Sequence, residues 1–146
     1  MTVLIDTGVL YADHDRDATR HEVADRALTS VYRGAFGQPY LTDYIFDEAI
    51  TVTLARTGSH GPAVSLSHRL RGVGDYPPVF EILRVNRATF DDANEFFERY
   101  DDQGLSFTDA TTVAAMKRRG IDHVLSFDTD FDGLVDRLDP ADVAEY

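Results

Sequence analysis

Four acidic side chains in this chain stand where acids are costly. Asp6 directly follows the apolar run Val3-Leu4-Ile5, and Asp128 follows Val124-Leu125-Ser126-Phe127. Glu48 lies inside Tyr44-Ile45-Phe46-Asp47-Glu48-Ala49-Ile50, and Asp109 inside Leu105-Ser106-Phe107-Thr108-Asp109-Ala110. A carboxylate at the end of an apolar strand, or within an apolar helix face, loses solvation and needs a partner such as a metal ion. Clustered carboxylates without Cys or His favour a hard cation, Mg²⁺ or Mn²⁺, bound through oxygen. Such an ion grips phosphate oxygens and lowers the pKa of its bound water, which is the chemistry of phosphodiester hydrolysis. Each acid taken singly also has a plainer role, as a helix cap or a solvated turn. For Asp109 at a helix start, capping and metal binding both stay open.

The elements that must position these acids can be read from punctuation and periodicity. Val3-Leu4-Ile5 reads as a buried first strand closed by a polar turn at Asp6-Thr7-Gly8. Helices are expected over about 15–31, over Tyr44 to Arg56 behind a Thr42 or Asp43 cap, and from Pro62 at a first helical position to about Leu70. Pro39-Tyr40-Leu41 makes a short strand, and Val79 to Val85 reads as the clearest strand of the chain. Thr89 caps a further helix, Thr108-Asp109 begins another that Gly120 ends, and His123 to Phe127 is a strand. Strands alternating with helices predict one α/β domain over residues 1–146 with a mostly parallel sheet, in which ligands gather beyond the carboxyl ends of the strands.

Composition narrows the function classes. The 146 residues carry 26 acids against 14 Lys and Arg, a formal net charge of -12, with no cysteine. Thiolate metal sites, disulfides and a Cys nucleophile are therefore excluded. No apolar run reaches membrane-spanning length and no signal peptide is apparent, so a soluble cytoplasmic protein is expected. Twenty of the acids are Asp and thirteen of the bases Arg. That balance suits a salty, halophilic cell interior, where dense carboxylates keep a protein hydrated. It also means that four Asp-x-Asp pairs, at 13/15, 15/17, 128/130 and 130/132, carry no information by themselves. So acidic a chain should repel nucleic acid through its overall field.

Four segments in order resemble the motifs of PIN-domain ribonucleases of the VapC toxin type. They are Ile5-Asp6-Thr7-Gly8-Val9-Leu10-Tyr11-Ala12, Asp43-Tyr44-Ile45-Phe46-Asp47-Glu48-Ala49, Leu105-Ser106-Phe107-Thr108-Asp109-Ala110 and Val124-Leu125-Ser126-Phe127-Asp128-Thr129-Asp130-Phe131. No one motif is specific; their order and spacing over nearly the whole chain carry the resemblance. It implies a three-layer α/β/α fold with a sheet of about five strands. It implies a Mg²⁺- or Mn²⁺-dependent endoribonuclease, a homodimer, held inactive by a cognate antitoxin. Asp6 and Asp109 would be the principal metal ligands, Glu48 and Asp128 would complete the cluster, and Thr7 and Ser126 would orient carboxylates or water. Asp130 is a further acid beside the cluster, read as a turn or capping residue.

Two rival readings remain beside this one. Asp128-x-Asp130-x-Asp132-Gly133 running on to Asp139 resembles an EF-hand calcium loop, but position 12 is Asp139 in place of Glu, and Pro140 stands where an exiting helix should begin. A catalytically idle, protein-binding module on the same fold is the other, and intact acids at all four motif positions speak against it. RNA phosphates could be met by Arg69 and Arg71, beside a Gly-rich loop, and by Arg118 and Arg119. Those arginines equally suit helix C-termini, where they offset the helix dipole. Among the histidines, His21 on the first helix resembles a His of related domains, which implies a structural hydrogen bond, and the aromatics Phe90, Phe96, Phe97 and Tyr100 read as core or a dimer face.

Overall fold

A computed structural model describes residues 1–144 of the chain. In order these form β1 (Thr2–Ile5), α1 (Thr7–His14), α2 (His21–Tyr32), β2 (Gln38–Thr42), α3 (Asp43–Thr57), α4 (His60–Arg71), β3 (Glu81–Leu83), α5 (Arg87–Arg99), α6 (Phe107–Arg119), β4 (His123–Leu125), a 3-10 turn (Thr129–Phe131), β5 (Arg137–Leu138) and α7 (Pro140–Val143). The strands make one five-stranded sheet in the order β3-β2-β1-β4-β5, and every pairing is parallel. Leu4 at the centre pairs with Tyr40 on one side and Val124 on the other.

Parallel strands need crossovers, and right-handed crossovers put the helices on both faces. One layer gathers α1, α2, α3, α4 and α7, packed on one another; the other is the α5–α6 pair. The result is the three-layer α/β/α arrangement that the family resemblance implies, on the mostly parallel sheet that the sequence pattern predicts. The main core buries Val3, Leu4, Ile5, Leu28, Leu41, Ile45, Leu66, Leu125 and Phe131. Ala93, Ala110 and Ala114 let α5 and α6 approach closely. Among the described residues no helix is long and apolar enough to cross a membrane.

The chain steps from β1 through β2 to β3 on one side, then returns to lay β4 against the free side of β1. That reversal leaves a crevice beyond the carboxyl ends of β1 and β4, the place where open parallel sheets bind ligands. Asp6 ends β1, and Ser126 to Asp128 follow β4.

Several element boundaries differ from the sequence-based reading. The polar turn expected at Asp6-Thr7-Gly8 is instead the start of α1, because the Asp6 carbonyl accepts from Val9 and Leu10 N–H and the helix buries Val9, Leu10 and Ala12. The helix expected from 15 to 31 therefore begins only at His21. Ser59, not the residue before Pro62, precedes α4, and Pro62 sits at the third helical position, where a missing N–H still costs nothing. The strand expected over 79–85 shrinks to Glu81–Leu83: it is an edge strand paired only with β2, and Val85 N–H bonds the Asp43 carboxylate instead of a neighbouring strand. Asn86, not Thr89, caps α5, accepting from Thr89 N–H at 2.9 Å. The His123 to Phe127 strand stops at Leu125. Gly120 ends α6 in the left-handed conformation, φ 63°, as the sequence suggests.

Candidate active site

Strand β1 delivers Asp6 to the crevice almost fully buried. Its amide donates to the Leu125 carbonyl at 3.0 Å, continuing the β1–β4 ladder by one residue. Ser126 Oγ donates to Asp6 Oδ2 at 2.6 Å and accepts from the Asp128 amide at 3.0 Å. One buried hydroxyl thus fixes the ends of two strands relative to each other. Asp128 in turn accepts from the Asp130 amide at 2.9 Å, capping the 3-10 turn. Asp130 is therefore in that turn, its carboxyl held above the usual range by the neighbouring Asp128 charge.

Helix α6 brings in Asp109 through a reciprocal cap. Ser106 Oγ accepts from the Asp109 amide at 3.1 Å, and Asp109 Oδ2 accepts from the Ser106 amide at 3.2 Å. Capping uses one carboxylate oxygen and leaves the other for a ligand, so the two roles open in the sequence are compatible. Glu48 comes from the middle of α3. Asp6, Thr7, Glu48, Asp109, Ser126 and Asp128 all line one open cleft of about 1020 Å³.

No ion pair among the described residues offsets Asp6, Glu48, Asp109 or Asp128. Burial raises the Asp6 carboxyl to about 6, against the Ser126 and Thr7 hydrogen bonds that lower it and with the Glu48 and Asp128 charges adding to the rise. Burial, then the Asp6 charge, raises Asp109 to about 7 although Ser106 bonds it. A bound cation would favour the ionised form of carboxyls raised in this way. The Thr7 hydroxyl beside it is buried with no hydrogen-bond partner. Oxygen donors, unbalanced negative charge and an orphaned hydroxyl fit Mg²⁺ or Mn²⁺ with water in its shell. Among the described residues no three acid or His side chains already converge on a common point at metal-binding distance. Ions of this kind keep several waters in their shell, so a few carboxylate oxygens suffice to hold one.

A profile of the PIN domain matches residues 3–136. The chain belongs to the PIN-domain family. It is 28% identical over 134 residues to the 23S rRNA-specific endonuclease VapC20 of Mycobacterium tuberculosis, covering 88% of this chain and 91% of that one. The crystal structure of the M. tuberculosis VapC20, a Sarcin-Ricin loop cleaving toxin, superposes with a TM-score of 0.75 at 26% identity, covering 88% of this chain and 92% of that one. A toxin–antitoxin complex from Klebsiella pneumoniae shares the fold, with a TM-score of 0.65 at 17% identity over 94% of this chain and 97% of that one.

The four arginines nominated for phosphate do not line the PIN cleft. Arg69 is paired with Asp13 and bonds the Tyr32 hydroxyl, holding α4 to α1 and α2. Arg71 donates to Ser67 Oγ at 3.2 Å. Arg118 grips Asp92 on α5, and Arg119 faces Glu81 at 3.8 Å. Acids thus engage Arg69, Arg118 and Arg119, and Arg71 turns to its own helix. The basic residues that do line the cleft are Arg20 and Arg56. Arg56 was legible, since Glu48, Val52 and Arg56 recur at every fourth position along one face of α3. Arg20 had no local signal, because only the fold brings it over Phe127. His21 makes the expected structural bond, Nδ1 to the Ala12 carbonyl at 2.9 Å, joining α2 to α1.

The calcium-loop reading finds its acids otherwise employed. Arg137 Nε donates to Asp132 at 2.8 Å, and its Nη1 lies 3.6 Å from Asp139. Asp139 caps α7, and Pro140 opens that helix at a position where Pro is welcome, contrary to the expectation that it blocks one.

Proposed function

We propose that this PIN-domain chain is a Mg²⁺- or Mn²⁺-dependent endoribonuclease that acts in the cytoplasm as the toxin of a toxin–antitoxin pair. The observation that carries the reading is the cleft itself: four acids from the end of β1, α3, α6 and the segment after β4, two of them buried and raised toward neutrality, none in an ion pair among the described residues. The relative's named activity as a 23S rRNA endonuclease, and its description as a toxin, agree with it.

Asp6 and Asp109 would hold the cation, with Glu48 and Asp128 binding directly or through water. When bound, the ion supplies a water of lowered pKa and neutralises phosphate charge. Ser126 keeps Asp6 in one rotamer and favours its ionised form. Thr7 offers its unpaired hydroxyl to a water in the cleft. Ser106 restrains Asp109 through the cap. The reaction is hydrolysis: water adds to phosphorus and the P–O3′ bond breaks, leaving a 3′-hydroxyl and a 5′-phosphate. No side-chain nucleophile is needed. An antitoxin partner and a homodimer complete the proposal; the half-exposed Phe90 and Phe97, both packed on Phe107, offer an apolar face for association.

The test uses purified protein, structured RNA and Mn²⁺. Wild type is expected to cut, and Asp6→Ala and Asp109→Ala to leave the RNA intact. Equal cleavage by all three would overturn the assignment.

A further inference from the structure

A cleft walled by carboxylates, in a chain of net charge -12, should repel the RNA it is to cut. Resting on the nuclease reading above, we propose that Arg20 and Arg56 are the phosphate grips of this cleft, each held at its rim by stacking on an aromatic ring. They are substrate-positioning residues; the carboxylates remain the reacting centre.

The guanidinium of Arg20 lies 4.6 Å from the centroid of Phe127, and that of Arg56 lies 5.5 Å from the centroid of Tyr11. Neither belongs to an ion pair among the described residues, whereas Arg69, Arg118, Arg119 and Arg137 all do. Stacking restrains a guanidinium through its face and leaves the N–H fork at its edge free for phosphate oxygens. An acid partner would consume that fork.

Both supports are built into the site. Phe127 stands between Ser126, which donates to Asp6, and Asp128, so Arg20 rests beside the acidic cluster. Tyr11 serves both arginines: its ring carries Arg56, while its hydroxyl donates to Asp15 at 2.6 Å. Asp15 begins the loop that ends at Arg20, and its other oxygen accepts from the Asp17 amide at 3.0 Å. Arg56 stands two turns beyond Glu48, about 12 Å along α3 at 1.5 Å per residue. It therefore meets a phosphate next to the one being cut, and Arg20 holds the strand near Asp128. The two grips fix the path of a single strand without a broad basic surface.

The test measures binding of a labelled single-stranded oligoribonucleotide in EDTA across a KCl series, and steady-state cleavage in Mn²⁺. Arg20→Ala and Arg56→Ala are each expected to weaken binding about tenfold. Each should reduce the slope of log K against log salt by roughly 0.7. In cleavage each should raise KM while kcat stays within about twofold. Arg20→Lys should recover part of the binding, and Phe127→Leu should lose part of it with Arg20 intact. Arg71→Ala and Arg118→Ala, outside the cleft, should match wild type. Wild-type KM and salt slope in both cleft variants, or equal losses in the two outside variants, would overturn the grips while leaving the nuclease standing. Arginine-dependent binding without any Mn²⁺-dependent cleavage would overturn the nuclease and keep the grips. A wild type that neither binds nor cuts overturns both.

Discussion

Two groups of aspartates meet at the end of β4 and live under opposite rules. In the tail, Asp132 and Asp139 converge on Arg137, and Asp136 lies 2.6 Å from His123 Nδ1. The Arg137 guanidinium holds Asp132 below the usual carboxylate range. In the cleft, Asp6, Glu48, Asp109 and Asp128 form no ion pair among the described residues, and burial lifts Asp6 and Asp109. The boundary between the regimes runs through a single Asp-x-Asp-x-Asp segment, between Asp128 and Asp132. What an acid does here is set by whether the fold gives it a counter-charge. The tail pairs its acids and serves structure: Arg137 Nη1 also donates to the Ser126 carbonyl at 2.9 Å, bracing the strand end that carries the cleft.

The largest effect that can break this contrast is on activity. Asp109→Ala is expected to lower Mn²⁺-dependent RNA cleavage by about 10³-fold or more, the scale of losing several kcal/mol of transition-state stabilisation. Asp132→Ala should stay within about twofold of wild type, since Asp132 is exposed and pairs with Arg137 outside the cleft. Comparable losses in both variants, read from initial rates on one RNA, would erase the distinction between the two groups.

That distinction was only partly legible in the sequence. The parallel α/β fold followed from alternating apolar runs and caps, and the four acids stood out because apolar neighbours forecast burial, which the fold gives to Asp6 and Asp109 while Glu48 and Asp128 stay half-buried. The immediate start of α1 at Thr7 was hidden, because Asp6-Thr7-Gly8 carries the composition of a turn while the buried Val9 and Leu10 decide otherwise. The edge position of β3 was hidden too, since a run of apolar residues does not reveal how many neighbours a strand has. The arginines misled for a similar reason. Sequence shows where Arg69 and Arg118 sit on their helices, but not that Asp13 and Asp92 reach them from other elements. Arg20 becomes a cleft residue only through its contact with Phe127, 107 positions on in the chain and adjacent only in the fold.

A smaller effect sharpens how the cleft is held. Ser126→Ala removes the donor to Asp6 and the acceptor of the Asp128 amide at once. Cleavage and Mn²⁺ affinity are expected to fall about 10- to 100-fold, the usual scale for a residue supporting a metal ligand. Ser126→Thr keeps the hydroxyl and should recover most of the loss. If the Ala variant binds Mn²⁺ as wild type does, by calorimetric titration, the hydroxyl does not organise the site.

The smallest effects, on stability, carry opposite signs in the two groups. Asp109→Asn keeps an acceptor for the Ser106 amide while removing the charge, so without metal it should raise Tm at neutral pH. Asp132→Asn loses its charged bond to Arg137 and should lower Tm slightly. The pH dependence tests the cause. The Asp109 carboxyl is raised from 3.8 unfolded to about 7 folded, so its favourable contribution is complete below pH 4 and is lost as pH rises through 7. The Tm advantage of Asp109→Asn over wild type should therefore be absent near pH 4 and grow to a plateau above pH 7, at roughly 2–4 °C per kcal/mol. Adding Mn²⁺ should reverse it, because the cation favours the ionised wild-type cleft and stabilises only the state that binds it. An Asp109→Asn advantage that is flat with pH, or unmoved by Mn²⁺, would mean that the buried charge is not what sets the cleft apart from the tail.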